Sequence, residues 1–255
     1  MKKNFFNETK TLFEISYIEY KNEYNHTFVS YWWHTLNFGL FIAGISLVFG
    51  ALFSNSQPNL TSYLTINFLL WNFFNANLLE LSDFIRTKRG LILNQNLKPM
   101  KVFLIGYIKN IFKLLSSIPI LIIVCVLESS FKISDILVLL YFLFIFFIFN
   151  FYASFLASLF TTIFQEFKLL INLVLRILFF VTPIFWFVET RSGTLRKLVE
   201  LNPLFHFIEG VRSHLLDLNH VTEPSLIFPG LLTLIIFIIT NYLYKNFNKN
   251  LVLYV

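Results

Sequence analysis

The feature that most restricts this chain is a long stretch without charge. No Asp, Glu, Lys or Arg occurs between Glu23 and Glu80. A helix that crosses a hydrocarbon layer about 30 Å thick needs about 20 apolar residues, because each residue advances it by about 1.5 Å. The stretch has room for two such helices, with the turn-forming residues 54–60 (SNSQPNL) between them. We therefore predict an integral membrane protein.

Composition supports this prediction. Only 13% of the 255 residues are charged, whereas water-soluble domains have about 25%. We predict an all-α fold with six membrane-spanning helices, because a helix satisfies its backbone polar groups internally when it lies in lipid. The predicted spans cover residues 29–53, 61–84, 102–127, 134–160, 169–188 and 225–244.

The basic residues predict the orientation of these spans. Twelve Lys and Arg fall on the side of the two termini and five on the opposite side. Because cytoplasmic loops carry the excess of basic residues, both termini are predicted to be cytoplasmic. The net charge of +6 is then mostly a cytoplasmic rim, which leaves no compact basic face for nucleic acid. The single cysteine, Cys125, excludes an intrachain disulfide and a thiolate metal cluster.

An amphipathic interface helix is predicted before the first span, over residues 10–26. Residues 11–14 (TLFE) fit a capping box, which places the start of the helix there. Such a helix, with aromatic side chains on one face, lies flat in the headgroup region. The alternative is an ordinary aromatic belt beside the membrane. Four aromatic residues recur along one helical face: Phe13, Tyr17, Tyr20 and Tyr24.

Two polar loops are predicted to be cytoplasmic. Residues 86–101 (RTKRGLILNQNLKPMK) should form a turn and a short helix, and residues 165–168 should form a tighter turn. These loops either serve only to fix the orientation of the chain or offer a surface to a soluble partner.

The longest external connection, residues 189–223, is predicted to form a re-entrant helical hairpin. Asn202 as N-cap and Pro203 at the first helical position give its second helix a sharp start. We expect a solvated helix that dips into the outer interface of the bilayer. His206 and Glu209 would share one face, where a metal or acid–base role is the alternative. Because the spacing H-E-x-x-H is absent, we predict neither a metal site nor a catalytic residue.

Ionisable residues also fall inside the predicted spans. Arg176 lies about eight residues inside the fifth span, and Lys109 and Lys113 lie less deep in the third. Such residues usually face a cavity or a partner. Arg176 either contacts the diphosphate of a lipid-linked substrate or extends to the cytoplasmic headgroups.

Three motifs resemble one known family, the permease subunits of ABC exporters of polysaccharides such as O-antigen, capsule and teichoic acid. Residues 27–33 (TFVSYWW) are similar to the family's Ser-x-Leu-Gly-x-x-Trp at the start of the first span, with Ser30 in place of the usual Gly. Residues 180–186 (FVTPIFW) are similar to its TPIF motif in the fifth span. Residues 202–212 (NPLFHFIEGVR) are similar to its external helix NPLxHxIEGxR, and this motif is the most specific.

The resemblance covers nearly the whole chain and implies a single transmembrane permease domain over residues 1–255. It implies a homodimer in the bacterial inner membrane, with two copies of a separate nucleotide-binding subunit. ATP and Mg²⁺ would bind that subunit, because this chain lacks a phosphate loop G-x-x-x-x-G-K-[ST]. The implied coupling residues are Arg86, Lys88, Arg89, Lys98, Gln165, Glu166, Phe167 and Lys168. The implied exit helix carries Asn202, Pro203, His206, Glu209 and Arg212.

The function implied by the resemblance is export of a polyprenyl-diphosphate-linked polysaccharide, with this chain as a transport subunit and not an enzyme. Aromatic rings suit such a path because they contact sugar C–H surfaces without a fixed charge. For each ring, contact with lipid or core is the alternative. Two other functions stay open: an ABC exporter of a small hydrophobic molecule or drug, and a membrane enzyme acting on polyprenyl phosphates. The residues expected along the path are Tyr31, Trp32, Trp33, Phe38, Arg176, Phe179, Phe185 and Trp186.

Overall fold

The computed structural model describes residues 2–23, 29, 32–53, 59–95, 97–188, 193–216 and 226–254. Within these ranges the chain is helical, and its only β-type pairing is an isolated bridge between Phe131 and Leu216. The helices are α1 (Lys2–Glu23), α2 (Trp32–Phe53), α3 (Leu60–Glu80), α4 (Phe84–Thr87), α5 (Arg89–Leu93), α6 (Pro99–Leu127), α7 (Ile136–Ile163), α8 (Phe167–Val181), α9 (Thr194–Leu201), α10 (Pro203–Leu215) and α11 (Ile227–Tyr254).

Four of the described helices are long and apolar enough to cross a membrane. They correspond to the predicted first, third, fourth and sixth spans, and the all-α prediction is confirmed for the described residues. Helices α3 and α8 do not meet the same criteria of length and composition, so six spans stay a prediction. The four are Trp32–Ala51, Pro99–Leu127, Ile136–Ile163 and Ile227–Asn246.

Helix α3 lies at the centre of the bundle. It packs against α2, α6, α7, α8 and α10, and nearly every residue from Leu60 to Phe74 is buried. This position explains why α3 can carry polar side chains. Most of its surface faces protein and not lipid, and there the polar side chains find hydrogen-bond partners. The buried amide of Asn77, for example, donates to the Phe73 carbonyl and accepts from Asn110 of α6.

The predicted fifth span is shorter in the structure than residues 169–188. Helix α8 ends at Val181, because Pro183 cannot continue the helical hydrogen bonds. The carbonyls released by this break accept hydrogen bonds from α3: Asn67 donates to Pro183 and Ile184, and the Tyr63 hydroxyl donates to Pro183 and Trp186. These bonds matter because unpaired backbone groups are costly away from water.

Helix α1 begins at Lys2, so the predicted capping box at residues 11–14 is wrong: Thr11 lies inside the helix. The aromatic face is confirmed for three of its four residues, and Tyr24 lies outside the described residues. The three rings surround Phe112 of α6, so α1 packs along α6. The ring centroids of Phe13, Tyr17 and Tyr20 lie 5.4, 5.6 and 5.9 Å from that of Phe112.

The bundle has two different ends. The end with α4 and α5, where α3 finishes and α8 begins, is called the α4 end. The opposite end, with α9 and α10, is called the α10 end. There the Glu128 carboxylate accepts hydrogen bonds from the backbone N–H groups of Thr61 and Ser62, at 3.0 and 2.7 Å. This carboxylate satisfies donors of the first turn of α3 and complements its dipole.

A glycine substitution tests the packing at the α10 end. Gly210 of α10 lies against Phe142 of α7, and a Cβ at this position would overlap the phenyl ring, whereas nothing lies within 4 Å of a Cβ at Gly44 of α2. We expect Gly210→Ala to destabilise the protein by about 1–3 kcal/mol through overpacking. Gly44→Ala should be neutral or stabilising by up to about 1 kcal/mol, because alanine favours helix. Thermal unfolding in detergent measures both changes, and equal midpoints would contradict the described packing.

Candidate functional site

A groove of about 300 Å³ runs between α3 and α8, and we call it the α3–α8 groove. The exposed Arg176 guanidinium lies in it, and no carboxylate of the described residues pairs with this side chain. The groove thus combines a cation with amides and aromatic rings. Its lining residues are Trp71, Asn75, Leu79, Asn172, Leu175, Arg176, Phe179 and Phe180.

Aromatic rings form a continuous band beside this groove, from α2 across α3 to the turn after α8. Phe179 and Phe185, both predicted for the path, belong to it. Trp71, on the Asn-rich helix α3, also belongs to the band, and the sequence analysis did not predict it for the path. The centroid distances are 4.9 Å for Phe41–Phe68, 6.2 Å for Phe68–Phe179, 5.4 Å for Trp71–Phe179, 5.6 Å for Phe179–Phe185 and 5.9 Å for Phe49–Phe185.

The other residues predicted for the path are more dispersed. Trp32 and Trp33, at the start of α2, are 53% and 45% exposed, and Tyr31 lies outside the described residues. Trp186 donates its indole N–H to the Phe180 carbonyl at 3.3 Å, beside the aromatic band. Phe38 is buried and faces a different cavity.

This second cavity, about 280 Å³ in volume, lies between the end of α1 and helices α2, α3 and α6. We call it the α2–α6 cavity. Eight of its thirteen lining residues are polar or charged, and it shares four residues with a further recess of about 230 Å³ beside Phe41. The lining residues are Glu23, His34, Asn37, Phe38, Leu69, Asn72, Phe73, Ala76, Glu80, Asn110, Lys113, Leu114 and Ser117.

Four charged residues meet at the edge of the α2–α6 cavity. The Lys113 ammonium lies 2.7 Å from the Glu23 carboxylate and 3.0 Å from that of Glu80, and its side chain is only 8% exposed. Lys109 lies 3.3 and 3.6 Å from the same two carboxylates. Burial by itself would raise the pKa of Glu23, but Lys113 and Lys109 hold that pKa below its ordinary value. The cluster joins α1, α3 and α6.

The sequence prediction placed Lys109 and Lys113 in or beside a span without naming their partners. A usable signal was present, because Glu23 and Glu80 are the two charges that bound the long uncharged stretch. Two lysines four residues apart on one face of a neighbouring helix are the natural partners of such carboxylates.

The residues predicted for coupling lie at the α4 end. Lys168, in the first turn of α8, pairs with Asp83 before α4 at 2.8 Å, so the loop predicted at residues 165–168 is joined to the turn that precedes α4. Lys88, between α4 and α5, pairs with Glu19 of α1. Phe167 packs on Phe160, with ring centroids 5.2 Å apart. The remaining coupling residues are exposed or half-buried: Arg86, Arg89, Lys98, Gln165 and Glu166.

The predicted cap of α10 is confirmed. The Asn202 side chain accepts a hydrogen bond from the Leu204 backbone N–H at 3.1 Å, and Pro203 occupies the first turn. Asn202 also donates to the Thr182 hydroxyl at 2.7 Å, which ties α10 to the turn after α8.

The prediction that this helix is solvated is wrong, whereas its position at the exit stays a prediction. Helix α10 is buried against α3, α7 and α11, and the side chains of Glu209 and Arg212 are each 1% exposed. These two residues form an ion pair, and the Arg212 guanidinium lies 4.1 Å from the centre of the Tyr63 ring. The ion pair and the Tyr63 ring together allow a helix with an amphipathic sequence to lie in the protein interior. The re-entrant position of α9 and α10 stays a prediction.

The predicted alternative site on α10 does not assemble in the described residues. His206 Nε2 lies 2.8 Å from the Glu200 carbonyl oxygen, and its ring packs against Phe228, whereas Glu209 turns towards Arg212. Among the described residues, no group of three or more His, Cys, Asp or Glu side chains is placed to hold a metal ion.

The comparison with protein families identifies the class. Residues 13–216, most of the 255-residue chain, match the ABC-2 type transporter family. The chain belongs to this family. It is the membrane subunit of a type-2 ABC exporter, a multi-pass membrane protein of a class that works with an ABC ATPase. A comparison with curated proteins found no match.

Proposed function

We propose that this permease moves a polyprenyl-diphosphate-linked polysaccharide across the bacterial inner membrane. The observation that carries the proposal is the composition of the α3–α8 groove. It places an exposed arginine among amides and aromatic rings within a bundle of apolar helices.

The residues that line the groove suit a glycolipid better than a purely apolar molecule. Asn75 and Asn172 offer amide donors and acceptors to hydroxyl groups, and Trp71 and Phe179 offer ring faces to sugar C–H surfaces. Arg176 supplies a cation suited to a diphosphate. An exporter of a small hydrophobic drug would not need an arginine at this depth, where a charge is costly.

The position of the groove supports a homodimer. Arg176 is exposed and Asn172 half-exposed on the surface of one protomer, and polar groups in spanning segments face a cavity or a partner more than lipid. In the proposed assembly a second copy of the chain covers this surface, so that two grooves border one path. The surrounding membrane lipids would then contact the apolar faces of α6, α7 and α11.

The α4 end is the proposed docking surface for two copies of the ATPase, which would bind ATP and Mg²⁺. The ion pairs Lys168–Asp83 and Lys88–Glu19 connect this surface to α8 and α1. Movement of the ATPase would therefore reach the groove through α8. In this arrangement the α4 end and both termini are cytoplasmic, and α10 lies at the exit.

A deletion strain tests the proposed function. Cells without this subunit should lose the surface glycan and accumulate the lipid-linked glycan in the cytoplasm, because synthesis continues while export stops. Cell fractionation and glycan staining measure both pools, and a plasmid copy of the chain serves as the control. Normal surface glycan in the deletion strain would refute the assignment, whereas accumulation of a hydrophobic compound would favour the drug exporter.

A further inference from the structure

The α2–α6 cavity shares no lining residue with the α3–α8 groove, yet it also has the features of a binding site. Its volume of about 280 Å³ is near the lower limit for small-molecule sites, which is about 300 Å³. Its walls carry amides, hydroxyls and charged groups between helices that are otherwise apolar. A polar recess of this kind inside a membrane bundle is expensive unless something polar fills it.

The charges at the cavity argue against an ionic ligand. Lys109 and Lys113 both lie against the carboxylates of Glu23 and Glu80, so these four groups together carry no net charge. A phosphate would have to displace two carboxylates and would be repelled by them, and a cation would meet two ammonium groups. The ligand that fits is neutral.

One buried amide in the cavity has an oxygen that accepts no hydrogen bond. Asn110 is 1% exposed and lines the cavity, and its Nδ2 donates to Asn77, but its Oδ1 has no hydrogen-bond partner. An unsatisfied buried oxygen of this kind is costly, so it favours a ligand that donates a hydrogen bond.

Further groups in the cavity suit a hydroxylated ring. Asn37 and Asn72 present exposed amides that both donate and accept, and Phe38 supplies an apolar surface in the cavity and the adjoining recess. A sugar ring offers hydroxyl donors for Asn110 and C–H surface for Phe38.

We propose that the α2–α6 cavity is a binding site for one neutral sugar ring. The further identification of this ring as a unit of the exported glycan rests on the proposed function. The site would hold part of the glycan beside α2, at a place bounded by the charged cluster that joins α1 to α3 and α6.

The test uses the complex of this chain with its ATPase in lipid nanodiscs, in a Cys125→Ser background that removes the single cysteine. Ala76→Cys places a thiol on the cavity lining. Its rate of reaction with a small hydrophilic methanethiosulfonate is measured with glucose, galactose, rhamnose or N-acetylglucosamine, and with inorganic phosphate. A bound sugar at about four times its Kd should slow the reaction about fivefold by mass action, and phosphate should leave it unchanged.

Two variants examine the recognising amides. Asn110→Leu should abolish the protection by sugar, because it removes the unsatisfied acceptor. Since it also removes the bond to Asn77, Asn72→Leu provides a second variant at an exposed position, and it should weaken protection without affecting folding. Asn241→Leu is the matched control, because that exposed amide bonds to its own helix α11 and should leave protection intact.

The outcomes separate the two proposals. Failure of every sugar to slow labelling, equal slowing by phosphate, or full protection in both amide variants would overturn the sugar site. If no sugar protects but the deletion strain loses its surface glycan, only this inference fails. If a sugar protects but the deletion strain keeps its glycan, the sugar site stands and the identity of the exported substrate is wrong.

Discussion

Replacing Arg212 by Met should leave little folded protein in the membrane. Arg212 and Glu209 form an ion pair at 1% side-chain exposure, so the single variant leaves the Glu209 carboxylate buried without that cation. Breaking a buried pair in this way costs about 3–5 kcal/mol. Because whole domains have only about 5–15 kcal/mol of stability, this loss is large enough to prevent accumulation. The amount of folded subunit in membranes and its thermal midpoint in detergent measure the effect.

Two further variants make this prediction specific. Glu209→Leu combined with Arg212→Met removes both charges and should restore most of the stability, since apolar replacements of a buried pair are often neutral. Arg196→Met breaks the pair of Arg196 with Glu200, which is about half exposed, and should cost only about 0.2–1 kcal/mol. A double variant as unstable as Arg212→Met would show that the guanidinium serves another purpose, such as its contact with Tyr63.

The second large effect is expected when Glu23 and Glu80 are both changed to Gln. Each carboxylate contacts both Lys109 and Lys113, so either one alone still neutralises the buried Lys113 ammonium. The single variants should therefore cost about 1 kcal/mol each, and the double variant about 3–5 kcal/mol. Loss of both bridges also frees the end of α1, so we expect export to stop. Thermal unfolding and surface glycan in complemented cells measure the two effects.

Acid should weaken the same cluster, because protonation of Glu23 removes one of its negative charges. The pKa of Glu23 lies below its ordinary value in the folded protein. Its ion pairs with Lys113 and Lys109 therefore stabilise the fold fully when the pH is above that ordinary value. The contribution is lost as the pH falls through the lower folded-state pKa.

The control for the double variant is Lys10→Gln, on the exposed Lys10–Glu14 pair of α1, which should change neither stability nor export. Strictly additive single effects would contradict the sharing of Lys113 between two carboxylates.

Features decided by local sequence were predictable. The apolar lengths of α2, α6, α7 and α11 follow from hydropathy alone, and the Asn202 cap follows from the Asn-Pro pair at the helix start. The aromatic face of α1 follows from helical periodicity, although its partner Phe112 does not. Even the local signals had limits, because the predicted fifth span continued through Pro183, whereas the helix ends at Val181.

Features decided by distant contacts were not predictable from one sequence. The burial of Arg212 depends on Tyr63, which lies on another helix far away in the chain, so local periodicity indicated a solvated face. The sequence marks Glu23 and Glu80 as the ends of the uncharged stretch, but their pairing with Lys113 depends on how α1, α3 and α6 pack together. The polar character of α3 became understandable only from its central position, where Asn67 satisfies the broken end of α8.

The most direct measurement of the central claim is transport in lipid vesicles that contain the purified chain with its ATPase partner. A polyprenyl-diphosphate-linked glycan is added on the ATPase side, and its appearance on the opposite side is followed with a lectin. We predict transfer that requires ATP, the ATPase and this chain together. Transfer or chemical conversion of the glycan by this chain alone, or ATP hydrolysis by the complex without any movement of the glycan, would contradict the account.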